Sequence, residues 1–455
     1  MKFSRFASLL TASLLAGCST VNSLLPGQSN ILLADIVGGQ VSRPAAMTGL
    51  AVSDEPFAAK AGTAVMAQGG SAADAAAAMF FALSVTYPVA GGLGGGGICL
   101  VRSNQGRIAE FDFLARAAGR GGPYAVPGAV AGFYDLQKAY GALPWQRVVA
   151  PAEVYAGAGF PISHVLAQRL AVAQSVIAQD AVLAGEFMSN GALKPEGALV
   201  SNPALASTLA AVRLSGADGF YKGAVAAGLA AASAAGPISL AELAAYRATL
   251  VQPRTLRRGQ VSAAVPGPST GAGAFIAALL TNTGNGEAQT AVVNGLRRTL
   301  ASFNIASVPP DLGATGFAAM DKNGQAVACA VSLNGPFGSG HSDASSGVQL
   351  AASPTAPGGI AGAFLTPMIV TDSSGQVTLA GAGTGGPNGS GAMMYALLRR
   401  AGGASVTRAA DLRSTGLAPF ATVNTIACQN GLCVALPDPG GNGLGASVDQ
   451  PVAAK

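Results

Sequence analysis

A layered α+β fold is what the sequence predicts, on three observations. Helical signals dominate the 455-residue chain before residue 314 and short apolar strands dominate after it, an order that suits helices packed on sheets. Half of the residues are hydrophobic and only 10% are charged, enough for a substantial core and against wholesale disorder. No repeat at a fixed period stands out. The length alone allows one large domain or two to three ordinary ones.

The elements follow in chain order. Pro56 opens a helix over Phe57–Gln68, and Gly69-Gly70-Ser71 closes it. Ser71 then caps an Ala-rich helix through Leu83, with Asp74 at its third position, close to a capping box. Gly91 to Gly97 is a glycine loop feeding the strand Ile98–Val101, and Asp112-Phe113-Leu114 ends another strand. Helices open at Val126-Pro127-Gly128-Ala129, at Leu143-Pro144-Trp145 and at Asn202-Pro203, and Ser239-Leu240-Ala241-Glu242 reads as a capping box. Residues 261–273 form a strand and a Gly/Pro loop, Phe275–Leu280 starts a helix, and Thr281–Gly286 is turn-rich. Gly316–Met320 and Ala326–Leu333 flank the turn Asp321–Gly324 as a hairpin. Phe364–Thr371 and Gln376–Ala380 flank a second turn, and a Gly-rich loop leads to a helix over Gly391–Arg400.

The N-terminus reads as an export signal. Lys2 and Arg5 precede an apolar run from Phe6 to Leu15, too short to span a bilayer. Leu15-Ala16-Gly17-Cys18 resembles a bacterial lipobox, which implies cleavage before Cys18 and acylation of its sulfur. The expected organisation is a signal peptide at 1–17, a tether and N-terminal segment at 18–50, then the body of the chain. The expected location is the bacterial cell envelope, exported, lipid-anchored and facing the periplasm, with the membrane as a partner through the anchor.

Other partners are narrowed by composition. A net charge of +5 without a basic cluster argues against nucleic acid. Two histidines make a His-rich metal site improbable, and no metal or cofactor is expected. Asn430-Gly431 is a type I′ hairpin signal that sets Cys428 opposite Cys433, a spacing that permits a disulfide in an exported protein. Cys99 and Cys329 sit in apolar strand-like runs and read as inert core residues rather than reactive thiols.

Several separated segments, in matching order, resemble the γ-glutamyltranspeptidase family. They include Gly69–Ala76, the Gly91–Gly97 loop, Val126–Gly132, Tyr140–Trp145, Asp218-Gly219-Phe220-Tyr221-Lys222-Gly223, the Ser/Thr-Gly turn at 269–271 and the block at 314–340. The resemblance implies the four-layer αββα sandwich of N-terminal-nucleophile hydrolases. It also implies a large-subunit-like part at 51–313 and a small-subunit-like part at 314–455, interleaved in one domain. Family members carry many more residues between the 269–271 turn and the nucleophile, so a helical section flanking the site looks deleted here.

The same resemblance sets expectations for the site. The family cuts itself to free a threonine whose own amine activates its hydroxyl. Counting back seven residues from Asp321 places Ala314 at that position, which leaves no nucleophile. Thr315 is the rescue candidate; it would need the strand register to shift, because successive side chains face opposite ways. Ser332 corresponds to the family's hydroxyl beside the nucleophile, Asn334 to its substrate-contacting asparagine, and Gly385 and Gly386 to its oxyanion donors. The same Gly-rich stretch also fits a dinucleotide fingerprint at 381, 383 and 386, but without a clear β-α-β unit before it.

Substrate recognition looks altered. Leu114 falls where the family has a carboxylate-binding arginine, with Arg116 two residues on as a substitute. Ala363 and Phe364 replace a tandem serine, with Phe364 filling the former carboxylate site, and 347–357 lacks the acidic residues expected for amine recognition. Losing two or three charge-assisted hydrogen bonds weakens binding by roughly 3–9 kcal/mol. The sequence therefore points first to a γ-glutamyltransferase-like protein impaired toward γ-glutamyl substrates, with a small amide or peptide-like ligand. The alternatives are an active amidohydrolase using Thr315 after self-cleavage, and a conventional transferase with compensating replacements.

Overall fold

A computed structural model describes residues 41–44, 49–403 and 421–448. The lipobox-like segment, Cys18 and the tether lie outside the described residues. Fourteen strands build two seven-stranded sheets: β1 Val41–Pro44, β2 Leu50–Ser53, β3 Gly96–Arg102, β4 Ile108–Asp112, β5 Thr249–Val251, β6 Arg254–Arg258, β7 Val261–Val265, β8 Ala314–Met320, β9 Ala326–Ser332, β10 Thr366–Thr371, β11 Val377–Thr384, β12 Thr422–Gln429, β13 Leu432–Leu436 and β14 Leu444–Ser447. The first sheet runs β5-β4-β3-β9-β8-β2-β14 and the second β1-β13-β12-β11-β10-β7-β6. Every pairing within them is antiparallel.

Helices cover both outer faces. Against the first sheet lie α1 Pro56–Ala67, α2 Ala72–Thr86 and α3 Ala129–Tyr140, with α4 Trp145–Ala158 and α5 Pro203–Ser215 behind them. Against the second lie α6 Gly271–Thr283, α7 Ala288–Ser302 and α8 Pro387–Ala401. The order helix, sheet, sheet, helix is the αββα sandwich. Three apolar layers hold it: one between α1–α5 and the first sheet, one between the sheets, and one between the second sheet and α6–α8.

Strand alternation explains how one strand serves two layers. In β8, Phe317 and Ala319 face the helices, whereas Ala314 and Ala318 face the second sheet. In β9, Val327, Cys329 and Val331 face the helices, and Ala328 and Ala330 face inward. The inner faces are rich in alanine, so the two sheets approach closely.

Helix α2 is buried along its whole length, which its small side chains permit. The capping box is present: Ser71 Oγ accepts from Asp74 N, and an Asp74 carboxylate oxygen accepts from Ser71 N. Asp74 also accepts from Ala142 N and Leu143 N, tying the 140–145 turn to this helix. The Asp321 carboxylate accepts from Asn323 N within its own turn and from Ala72 N at the α2 N-terminus.

Two helix boundaries are corrected. The helix from 271 runs on through Thr283, into the stretch read as turns. The interval from 273 to 313 holds a further helix not placed from sequence, α7, whose Glu287 side chain caps it by accepting from Gln289 N and Thr290 N. The helix expected from Gly391 begins four residues earlier, at Pro387. Cys99 and Cys329 are fully buried in the core, as expected, and as cross-strand partners on β3 and β9 they are also disulfide-bonded, 4.1 Å apart at Cα.

Cys428 and Cys433 are likewise bonded, across a hairpin in which Asn430 and Gly431 both have positive φ (53° and 77°). That is the I′ geometry.

Candidate functional site

At one end of the sandwich, Ser332 closes β9, Gly96 opens β3, Gly271 opens α6, and the 3-10 helix Pro357–Phe364 folds over them. Between them is a cavity of about 170 Å³, also lined by Leu114, Ala115, Asn334 and Ala363. Five separated stretches of sequence therefore meet in one hollow.

The head of β8 lies beside it. Ala314 pairs with Ser332 across the ladder and is 3% exposed, packed with Ile98, Ala330, Leu365 and Ala382 between the sheets. Its methyl group has no acid–base or nucleophilic chemistry. Gly313 has φ +54°, and a Cβ there would run into the Gly335 carbonyl, so the approach to the strand requires glycine. Ser332 Oγ donates toward the carbonyls of Leu312 and Gly313 (3.0 Å each) and accepts from Asn334 N (2.8 Å). Asn334, at φ +63°, gives its Nδ2 to the Ala352 carbonyl at 2.9 Å. Ser332 and Asn334 thus both reach the cavity wall while clamping the loop around the strand head.

Thr315 goes elsewhere. It pairs with Val331 rather than Ser332, is fully buried, and lies outside the cavity lining. Its Oγ1 donates to Asp54 Oδ2 at 2.7 Å. Asp54 also accepts from Thr422 Oγ1 (3.0 Å) and Asn424 Nδ2 (2.8 Å) of the second sheet. Burial pushes the Asp54 carboxyl above the usual carboxylate range, opposed by the three hydrogen bonds and by the charge of Arg169. Arg169 pairs with Asp311 at 2.7 Å, and Asp311 accepts from Gly313 N at 2.8 Å. These buried polar groups staple the two sheets next to the strand head. Nothing in the local sequence around Asp54, Asn424 or Arg169 marks them, because their partners are remote in the chain: Asp54 and Asn424 are 370 residues apart, and Arg169 and Asp311 are 142 apart.

The remaining expected residues divide. Arg116 is exposed and points away from the cavity: its guanidinium lies 4.7 Å from the Tyr246 ring centroid and donates to the Arg247 carbonyl and Thr249 Oγ1. Phe364 does not line the cavity; it turns into the outer helix layer, edge-on to Phe275 at 5.0 Å, whereas Ala363 and Leu114 are on the cavity wall. Gly385 and Gly386 sit at φ +83° and +100° between β11 and α8, outside the cavity lining. Among the described residues no group of three or more His, Cys, Asp or Glu is arranged to hold a metal ion.

Comparison with known proteins adds the lineage. The family model described as Gamma-glutamyltranspeptidase matches residues 58–295. Among curated proteins, the chain is 32% identical to the Glutathione hydrolase proenzyme of Escherichia coli (strain K12) over 251 residues, covering 50% of this chain and 43% of that protein. It is 34% identical to the Capsule biosynthesis protein CapD proenzyme of Bacillus anthracis over 205 residues, covering 44% and 38%. The chain thus spans less than half the length of these relatives. Among solved structures, cephalosporin acylase from Bacillus halodurans superposes with a TM-score of 0.70 at 18% identity, over 95% of this chain and 99% of that one. The gamma-glutamyltranspeptidase of Helicobacter pylori superposes with a TM-score of 0.51 at 26% identity, over 55% and 82%. The matched family segment ends before β8 begins at Ala314.

Proposed function

Because the chain belongs to the gamma-glutamyltranspeptidase family, we propose that it is a γ-glutamyltransferase-like envelope lipoprotein that stays uncut, does not cleave γ-glutamyl bonds, and binds a small amide or peptide-like ligand. The observation that carries this reading is the head of β8. Self-cleavage of the Gly313–Ala314 bond needs a side-chain hydroxyl or thiol on residue 314 to take up the acyl group, and alanine has neither. The next hydroxyl, on Thr315, is committed to the buried Asp54 carboxylate, outside the cavity lining. Reaching the cavity would require a one-residue slip of β8, which would turn Phe317 out of the helix layer and Ala314 into it.

Intact mass and a denaturing gel of the purified full chain test the reading. A single species is expected. Two fragments meeting at Ala314 or Thr315 would overturn the proposal and favour an active N-terminal-nucleophile amidohydrolase using Thr315. Any amidase rate the protein shows should be unchanged by Thr315→Ala; loss of that rate would give Thr315 the catalytic role. Anchoring rests on Cys18 alone, and Cys18→Ser should move the protein from the membrane to the soluble fraction. Retention on the membrane would rule out tethering at that sulfur.

A further inference from the structure

We infer that the cavity at the end of the sandwich selects an uncharged amide with a short apolar acyl chain and rejects the matching carboxylate. This deepens, and rests on, the reading of the chain as a binder that does not cleave. Size is the first constraint. At about 170 Å³ the cavity is slightly larger than cavities near 150 Å³ that hold one benzene ring, so it suits a ligand of about six or seven heavy atoms.

Charge is the second constraint. No residue lining the cavity carries a charge, and its apolar wall comes from Leu114, Ala115, Ala363 and Leu365. The nearest cation in sequence, Arg116, is turned onto Tyr246. Arg169, on the Asp311 side of the strand head, is already paired. A carboxylate entering here would lose its hydration with no counter-ion, which is strongly unfavourable.

The polar groups set the third constraint. Ser332 spends its single proton on the Leu312 and Gly313 carbonyls, so it can offer a ligand only an acceptor. Asn334 gives one Nδ2 proton to Ala352, which leaves its acceptor Oδ1 and a second N–H on an amide that lines the cavity. A ligand that both donates and accepts is therefore matched, whereas a carboxylate can only accept. An amide carries both halves.

Isovaleramide and isovalerate share a shape and differ in charge. Ligand-observed NMR titration of the full chain with each is the test. Isovaleramide should bind at least roughly tenfold more tightly than isovalerate. Ala363→Phe, which fills the cavity, should abolish isovaleramide binding. Leu114→Arg, at a partly exposed wall position that tolerates bulk, should reverse the preference and serves if the first variant does not fold. Equal or tighter binding of isovalerate by the unmodified chain, no binding of isovaleramide, or binding that survives Ala363→Phe would each overturn the inference. Conversion of isovaleramide to isovalerate and ammonia, or a chain cut at 314, would instead overturn the non-cleaving reading, so the two failures are distinguishable.

Discussion

Asp54 accepts hydrogen bonds from Thr315, Thr422 and Asn424 in a fully buried position, so each donor is worth more to stability than its distance alone suggests. Thr315→Val keeps the shape of the side chain and removes the donor. The expected cost is about 1–3 kcal/mol, the usual penalty for orphaning part of a buried polar group, read as a lower urea midpoint. An unchanged midpoint would mean that Asp54 does not depend on Thr315. Gly313→Ala makes the complementary case, since it combines positive φ with a collision against the Gly335 carbonyl. It should cost more than Thr315→Val in the same melt. The strand that leads into the Asp321 turn was legible in the sequence from its short apolar run. The commitment of Thr315 was not, because its partner lies 261 residues away and no local pattern encodes the pairing.

Helix α1 begins on an unusual cap. Glu55 is fully buried, and its Oε2 accepts from Ala58 N (3.0 Å) and Thr86 Oγ1 (2.8 Å), so one carboxylate joins the start of α1 to the end of α2. Burial raises its pKa from 4.5 to about 7 against those hydrogen bonds. The folded chain therefore holds this proton more tightly than the unfolded chain does. Stability should fall as pH rises from about 4.5 to about 7, and level off above. The whole fall amounts to about 3 kcal/mol at most, because each pH unit in that window costs about 1.4 kcal/mol. Glu55→Gln mimics the protonated form and should flatten that part of the stability-versus-pH curve; a slope equal to the parent's would assign the dependence to other groups. Caps of the ordinary kind were readable, as Ser71 with Asp74 and Ser239 with Glu242 show. A glutamate before Pro56 carries no such signature, and α7 was missed because its start is capped by Glu287 inside a Gly/Asn-rich stretch.

The two halves of the chain cannot be separated without dismantling both sheets: β8 and β9, from after residue 313, sit between β2 and β3, from before residue 103. The sandwich was legible through its ordered family-like segments and the switch from helical to strand-like periodicity. The partnership of Cys99 with Cys329 was not, because it depends on β3 and β9 being neighbours in register across 230 residues. By contrast, Cys428 and Cys433 could be paired from the Asn-Gly turn alone, since the register across a two-residue loop is fixed locally. That difference predicts unequal stabilisation. Closing a loop of 230 residues removes about 5 kcal/mol of unfolded-state entropy in the chain-entropy picture, against about 2 kcal/mol for a separation of five. The hairpin also starts partly closed in the unfolded chain, which lowers the second figure further. Replacing Cys99 and Cys329 together with valine keeps apolar bulk in the layer under α2 and should lower the urea midpoint more than the same exchange at Cys428 and Cys433. Equal losses from the two pairs would mean that the long-range bridge adds nothing beyond the packing already holding β3 to β9.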